Sequence, residues 1–225
     1  MLGYFVIIGI FSVIGMIISG RLRSKFAHYS KVPIRAGMSG AEIARQMLQH
    51  YGISDVKIVQ GQGFLTDHYN PASKTVSLSP DVFNGRSVAA AAVAAHECGH
   101  AVQHAQSYSM LQVRSALVPV VNIAASLQQY LLLAALGFFG LGENNFLLML
   151  TIAAFGITTL FSLITLPVEF DASKRALAWL DQSNVTHGEE YKGAKDALWW
   201  AAMTYVAAAL SALVMLLYLV LRLND

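Results

Sequence analysis

Charge is scarce in this sequence: only 12% of its 225 residues are Asp, Glu, Lys or Arg, about half of what a soluble domain carries. So little charge cannot cover a water-facing surface, and 56% apolar residues with a mean hydropathy of +0.52 place the chain in a lipid bilayer. Cysteine is nearly missing as well. Cys98 stands alone, which rules out an internal disulfide and fits a reducing compartment. A formal net charge of +2 gives no footing for nucleic acid as a partner. Internal repeats and low-complexity runs are absent too, and the alanine clusters read as helix fillers.

What is present begins with four uncharged stretches of spanning length, at residues 2–19, 117–141, 146–168 and 198–221. The first has no basic residue ahead of it and no small-x-small cleavage pattern before Arg21, so it reads as a retained anchor rather than a signal peptide. Of the fifteen Lys and Arg, fourteen fall in segments 21–116 and 169–197, which the positive-inside rule assigns to the cytoplasm. The expected organisation is a multi-pass protein of the cell membrane with both termini outside. Residues 1–20 form an anchor, 21–116 a cytoplasmic domain, 117–168 a membrane hairpin, 169–197 a second cytoplasmic segment, and 198–225 the last span and tail. Glu143, in the short turn between the second and third spans, falls outside. Asn122, Ser126 and Gln129 share one face of the second span and are expected to face the helix bundle, while Trp199 and Trp200 open the fourth span as an interfacial belt.

Within 21–116, Ser39-Gly-Ala-Glu42 is a capping-box pattern ahead of Ile43, Met47, Leu48 and Tyr51, with Gly52 as the stop. Residues 56–59 read as a strand, and 64–69 and 75–79 as a hairpin around Asn70-Pro-Ala-Ser-Lys74. Ser87 can cap a helix over 88–106. The segment is thus a small α+β domain beside four membrane helices.

That last helix carries His96-Glu-Cys-Gly-His100. Two His four residues apart lie on one helix face about 6 Å apart along the axis, so both can grip one zinc ion with Glu97 beside it. Zinc takes neutral imidazoles in tetrahedral geometry, and a catalytic site keeps one position for a water whose pKa falls towards about 7. Glu97 is the candidate general base for that water and proton carrier to the leaving amine. With this composition a chance H-E-x-x-H match is on the order of one in two hundred. Cys98, at i+2, points away from the imidazoles and reads as a packing residue.

A third ligand is needed. His104 is about 12 Å along the axis from His96, too far to share one ion, and Gln106 stands where a metzincin would place its third His. Glu169, Glu189, Glu190 and several aspartates remain. Glu169 stands out because it follows Pro167 at the end of the third span, on the same face of the membrane as the zinc helix; an acid there can equally serve as a helix cap or a solvated charge.

H-E-x-x-H, then two spans, then Glu-aromatic resembles the membrane gluzincins, which include prenyl-protein endopeptidases and a bacterial heat-shock membrane protease. The strings Leu65-Thr-Asp-His-Tyr69, Gly85-Arg-Ser87, 94–103, Leu166-Pro-Val-Glu-Phe170 and 204–209 are similar, more closely, to the YugP-type zinc metallopeptidases. The resemblance covers most of the chain. It implies a zincin-like domain with Zn2+ held by His96, His100 and Glu169, and Glu97 as base. Many gluzincins place an Asp four residues after the third ligand to orient a ligand His; here that position is Ser173, able to accept a hydrogen bond, while Asp171 lies on another helix face. Donors for a developing oxyanion are open among His68, Arg175, His187 and Tyr205.

The expected activity is therefore a zinc metallo-endopeptidase cutting peptides or membrane-protein segments near the cytoplasmic membrane surface. Two competitors remain. An intramembrane zinc protease needs its motif inside a long apolar span, and only eight apolar residues precede His96. A catalytically silent zinc scaffold or chaperone needs a closed four-ligand site, usually rich in Cys. No pattern specifies an oligomeric state or partner protein.

Overall fold

The computed structural model describes residues 2–135 and 144–223; Glu143 and the 136–141 end of the second expected span lie outside them. Among the described residues, four helices are long and apolar enough to cross a membrane: α1 (Leu2–Tyr29), α5 (Ser109–Ala135), α6 (Asn145–Gln182) and α7 (Glu189–Leu223). Each extends beyond its apolar stretch on at least one side, α1 continuing past Gly20 and α6 past Pro167 into good helix formers. Pro167 sits inside α6 and removes one backbone hydrogen bond without ending the helix. Between α1 and α5 lie α2 (Gly40–His50), β1 (Lys57–Gln60), β2 (His68–Asn70), β3 (Thr75–Leu78), α3 (Pro80–Phe83) and α4 (Val88–Ala105). The protein is mainly helical with one small sheet.

The chain divides into two compact units. The first comprises residues 1–18, 112–166 and 204–225, with Leu132, Phe155, Met215 and Leu219 in its core. Here the structure corrects the expected polar face of the second span. Asn122, Ser126 and Gln129 are exposed, and Ser126 donates back to the Ile123 carbonyl of its own helix. The cross-helix bond is made one position away, where Thr158 donates to Gln128 Oε1 at 3.0 Å.

The second unit comprises residues 19–111 and 167–203. The capping box forms: Glu42 N–H donates to Ser39 Oγ, and Ser39 N–H donates to Glu42 Oε2 at 2.7 Å. Ile43, Ala44, Met47 and Leu48 turn inward from α2, and Gly52 ends it with φ +68. The sheet order is β1-β3-β2, with β1 parallel and β2 antiparallel to the central β3. The hairpin exists but is shorter than the sequence suggests. Residues 64–67 are not strand, because Asp67 turns its carboxylate onto Ser79, accepting from that residue's backbone N–H at 2.7 Å and from its hydroxyl at 3.1 Å. Val76 and Leu78 alternate inward from β3 against α4, joined by Trp179 and Leu180 of α6 and Leu198 of α7.

Candidate metal centre

Ser87 begins α4 by accepting a hydrogen bond from Ala90 N–H at 3.3 Å. The alanines that follow keep the helix narrow, so that it is buried in the middle of the second unit. Gly99 permits the closest approach. A Cβ there would sit 2.6 Å from the Ala172 carbonyl oxygen of α6, so only glycine lets the two backbones meet. This contact sets Glu169, one turn before Ser173 on α6, opposite the imidazoles of α4.

Glu169 Oε2 lies 3.3 Å from His96 Nε2 and 3.5 Å from His100 Nε2. One donor atom from each of the three residues falls within 4.8 Å of the others. For zinc with ligands at about 2.0–2.1 Å, a tetrahedron's edge is about 3.3 Å, which the two His–Glu separations match. The other ring nitrogens are held from behind. His96 Nδ1 is 3.1 Å from Ser173 Oγ, and His100 Nδ1 is 3.0 Å from Gln103 Oε1. With the Nδ1 atoms so engaged, both Nε2 atoms face the carboxylate, the orientation a metal-binding pair of imidazoles requires.

Gln103 is fully buried and satisfied on both sides: its Nε2 donates to the Val168 carbonyl and to Asp171 Oδ2, both at 2.8 Å. Asp171 also accepts from Arg175, which in turn donates to Gln106 and lies over the Tyr108 ring at 5.8 Å. Asp171 was placed by the helical wheel on a face of its own; Gln103 bridges the gap and ties it to His100. Nothing local marks Gln103 for this role except that it is a polar residue three positions after His100, on a helix whose first two turns are apolar.

The three groups stabilise one another electrostatically. Burial alone pushes Glu169 up, but hydrogen bonds and charge from His100 and His96 outweigh it and hold the carboxyl well below its usual range. Burial likewise pushes His100 down, while Glu169, Glu97 and Gln103 more than compensate, leaving it above its ordinary value. Glu97, between the two His, is 8% exposed. Cys98 packs away from the cluster with its thiol 3.6 Å from the Ala44 carbonyl, and burial, reinforced by Glu97, pushes its pKa up.

Several of the remaining candidates have partners of their own. His104 Nδ1 pairs with the Tyr69 hydroxyl at 2.7 Å, and His68 Nδ1 with the Thr66 carbonyl at 2.8 Å. Arg175 is bound into the Asp171 network, His187 is exposed, and Tyr205 belongs to the first unit. Glu189 pairs with Lys192 and Glu190 with Arg35.

A largely buried His-His-Glu cluster on two helices, in a chain with four apolar helices of spanning length, could hold one metal ion and has the residue types zinc takes. A family model described as "Putative neutral zinc metallopeptidase" matches residues 4–224, and the chain belongs to that family. It is also 44% identical over 201 residues, 89% of this chain and 88% of the relative, to the "Putative membrane protease YugP" of Bacillus subtilis (strain 168). No solved structure matches the chain.

Proposed function

We propose that this protein is a zinc-dependent endopeptidase whose site, on the cytoplasmic side, hydrolyses peptide bonds close to the membrane surface. The observation that carries the reading is the convergence of His96 Nε2, His100 Nε2 and Glu169 Oε2 at separations suited to one zinc ion. Zinc bound there supplies a Lewis acid for the scissile carbonyl and makes a water nucleophilic near neutral pH. The chain's own residues do the rest. Glu97 takes the proton of the attacking water and passes it to the leaving amine. Ser173 and Gln103 fix the imidazole planes, so little reorganisation accompanies reaction. An extended substrate can add to a sheet edge, and β1 and β2 are the edge strands.

Membrane proximity follows from chain position. Glu169 is the first residue after the 146–168 apolar stretch, so a zinc ion bound to it lies about one helical turn or less beyond the span. The cytoplasmic assignment rests on the Lys and Arg bias and on the single reduced cysteine. Substrates are then membrane-protein segments or peptides reaching that surface. The test is proteolysis by the full chain in vesicles, with zinc content measured in parallel. Glu97→Gln should keep its zinc and lose about hundredfold or more of cleavage; undiminished cleavage by this variant would refute the proposal.

A further inference from the structure

A groove of about 320 Å3 runs between α6 and α7 in the second unit. Its lining is mostly apolar and includes Phe170, Leu198 and Trp199, and the Phe170 and Trp199 rings sit 6.4 Å apart. Trp199 is half exposed although it is one of the largest apolar side chains in the unit. Lys174 and Lys195 stand on its walls, one from each helix, both exposed. Among the described residues neither lysine makes an ion pair, while neighbouring acids on the same helices are engaged: Asp171 by Arg175, Asp196 by Lys25, Glu190 by Arg35. The groove therefore offers two unmatched cations beside a mostly apolar lining, which calls for an amphiphile with an anionic head.

Its position selects among such amphiphiles. Phe170 lies two residues beyond the 146–168 stretch and Trp199 is the second residue of the 198–221 stretch, the level of an interfacial aromatic. Lys174 and Lys195 are six and three residues from those stretches, about 9 Å and about 5 Å by helical rise, within the headgroup layer. The groove also meets the metal centre from behind. Ser173 in its wall bonds His96 through Nδ1, whereas Nε2 is the atom that faces Glu169, so a peptide held at the metal would not run through this groove.

We propose that the α6–α7 groove binds an acidic phospholipid of the cytoplasmic leaflet. Lys174 and Lys195 take the phosphate from two sides, and an acyl chain lies along Phe170, Leu198 and Trp199. This site uses neither zinc nor Glu97, and only its assignment to the cytoplasmic leaflet rests on the proposed topology.

The test is tryptophan fluorescence of the full chain in phosphatidylcholine vesicles that contain, at equal mole fraction, either brominated phosphatidylglycerol or brominated phosphatidylcholine as quencher. The brominated anionic lipid should quench preferentially, and Trp199→Phe should remove that preference. Lys174→Gln with Lys195→Gln should weaken the preference at least about fivefold, the weight of one lysine near a charged surface, and Lys→Arg at both positions should restore it. Equal quenching by the two lipids, or a preference that survives Trp199→Phe or the double Gln variant, would overturn the proposal. Thermal unfolding midpoints unchanged across these variants separate failure of the lipid site from loss of the fold.

Discussion

Ser173 Oγ lies 3.1 Å from His96 Nδ1, one helical turn beyond Glu169 on α6. The helix that presents the carboxylate to the imidazoles thus also orients one of them from behind. A hydroxyl here replaces the charged partner familiar in related zinc sites, and it can accept the ring N–H without placing another buried negative charge beside Glu169, which is 2% exposed. Ser173→Ala should therefore retain the fold and weaken zinc affinity about tenfold or more, measured by competition with a chromogenic chelator.

Gln103 joins His100 to Asp171 and to the Val168 carbonyl with no solvent access. Gln103→Leu preserves volume but strands acceptors in the interior. It should lower stability by about 1–3 kcal/mol in thermal unfolding and weaken zinc binding as well. A loss of stability with unchanged zinc affinity would mean that Gln103 serves packing only.

The Gly99 contact makes a sharper steric prediction. Because a Cβ would meet the Ala172 carbonyl at 2.6 Å, Gly99→Ala must push α6 away from α4 and draw Glu169 off the imidazoles. Overpacking of this kind costs about 1–3 kcal/mol, and zinc binding should fall with it. Thermal unfolding and zinc analysis on the same sample check both.

Protonation and metal compete for His100. In the metal-free protein burial pushes its pKa down but Glu169 and Glu97 prevail, raising it above 6.5. Its contribution to stability is therefore fully present below pH 6.5 and is lost as pH rises through the raised value. Glu169 runs the other way: its contribution is present above its ordinary 4.5 and is lost as pH falls through the lowered value. Chelated protein should become less stable as pH rises above 6.5, while zinc affinity increases over the same interval as the proton leaves. Unfolding midpoints with chelator and with zinc, below pH 6.5 and well above it, measure the two trends.

Topology can be tested without a background signal, since Cys98 is the sole cysteine and is fully buried. Asn144→Cys should react with an impermeant maleimide in intact cells. Ser73→Cys, on the exposed turn between β2 and β3, should react only once the inner face is opened. Reversed labelling would put the metal centre on the other side.

The features readable in the sequence are those set by neighbours along the chain. The Ser39–Glu42 capping box, the α4 helix capped by Ser87 and the four apolar helices all depend on spacing within a few turns. His96 and His100 were legible for the same reason, because i and i+4 share a face. Most features that depend on contacts between distant segments were not; Glu169, 73 positions from His96, was singled out only by its place after the third span and by the resemblance. The Gln103–Asp171 bridge joins residues 68 positions apart, and neither has a local pattern that points to the other. Residues 64–67 looked like strand by composition, yet Asp67 reaches twelve residues ahead to Ser79 and bends the chain out of the ladder. In α5 the polar face was misplaced by one position, because Ser126 can satisfy its hydroxyl on its own helix while Gln128 reaches Thr158.

The central claim is that His96, His100 and Glu169 form a single metal centre. Zinc content per chain of the detergent-purified wild type beside Glu169→Ala, after equilibration with a moderate chelator, tests it most directly. The account predicts one zinc per wild-type chain and almost none in the variant. Equal zinc in both would contradict it.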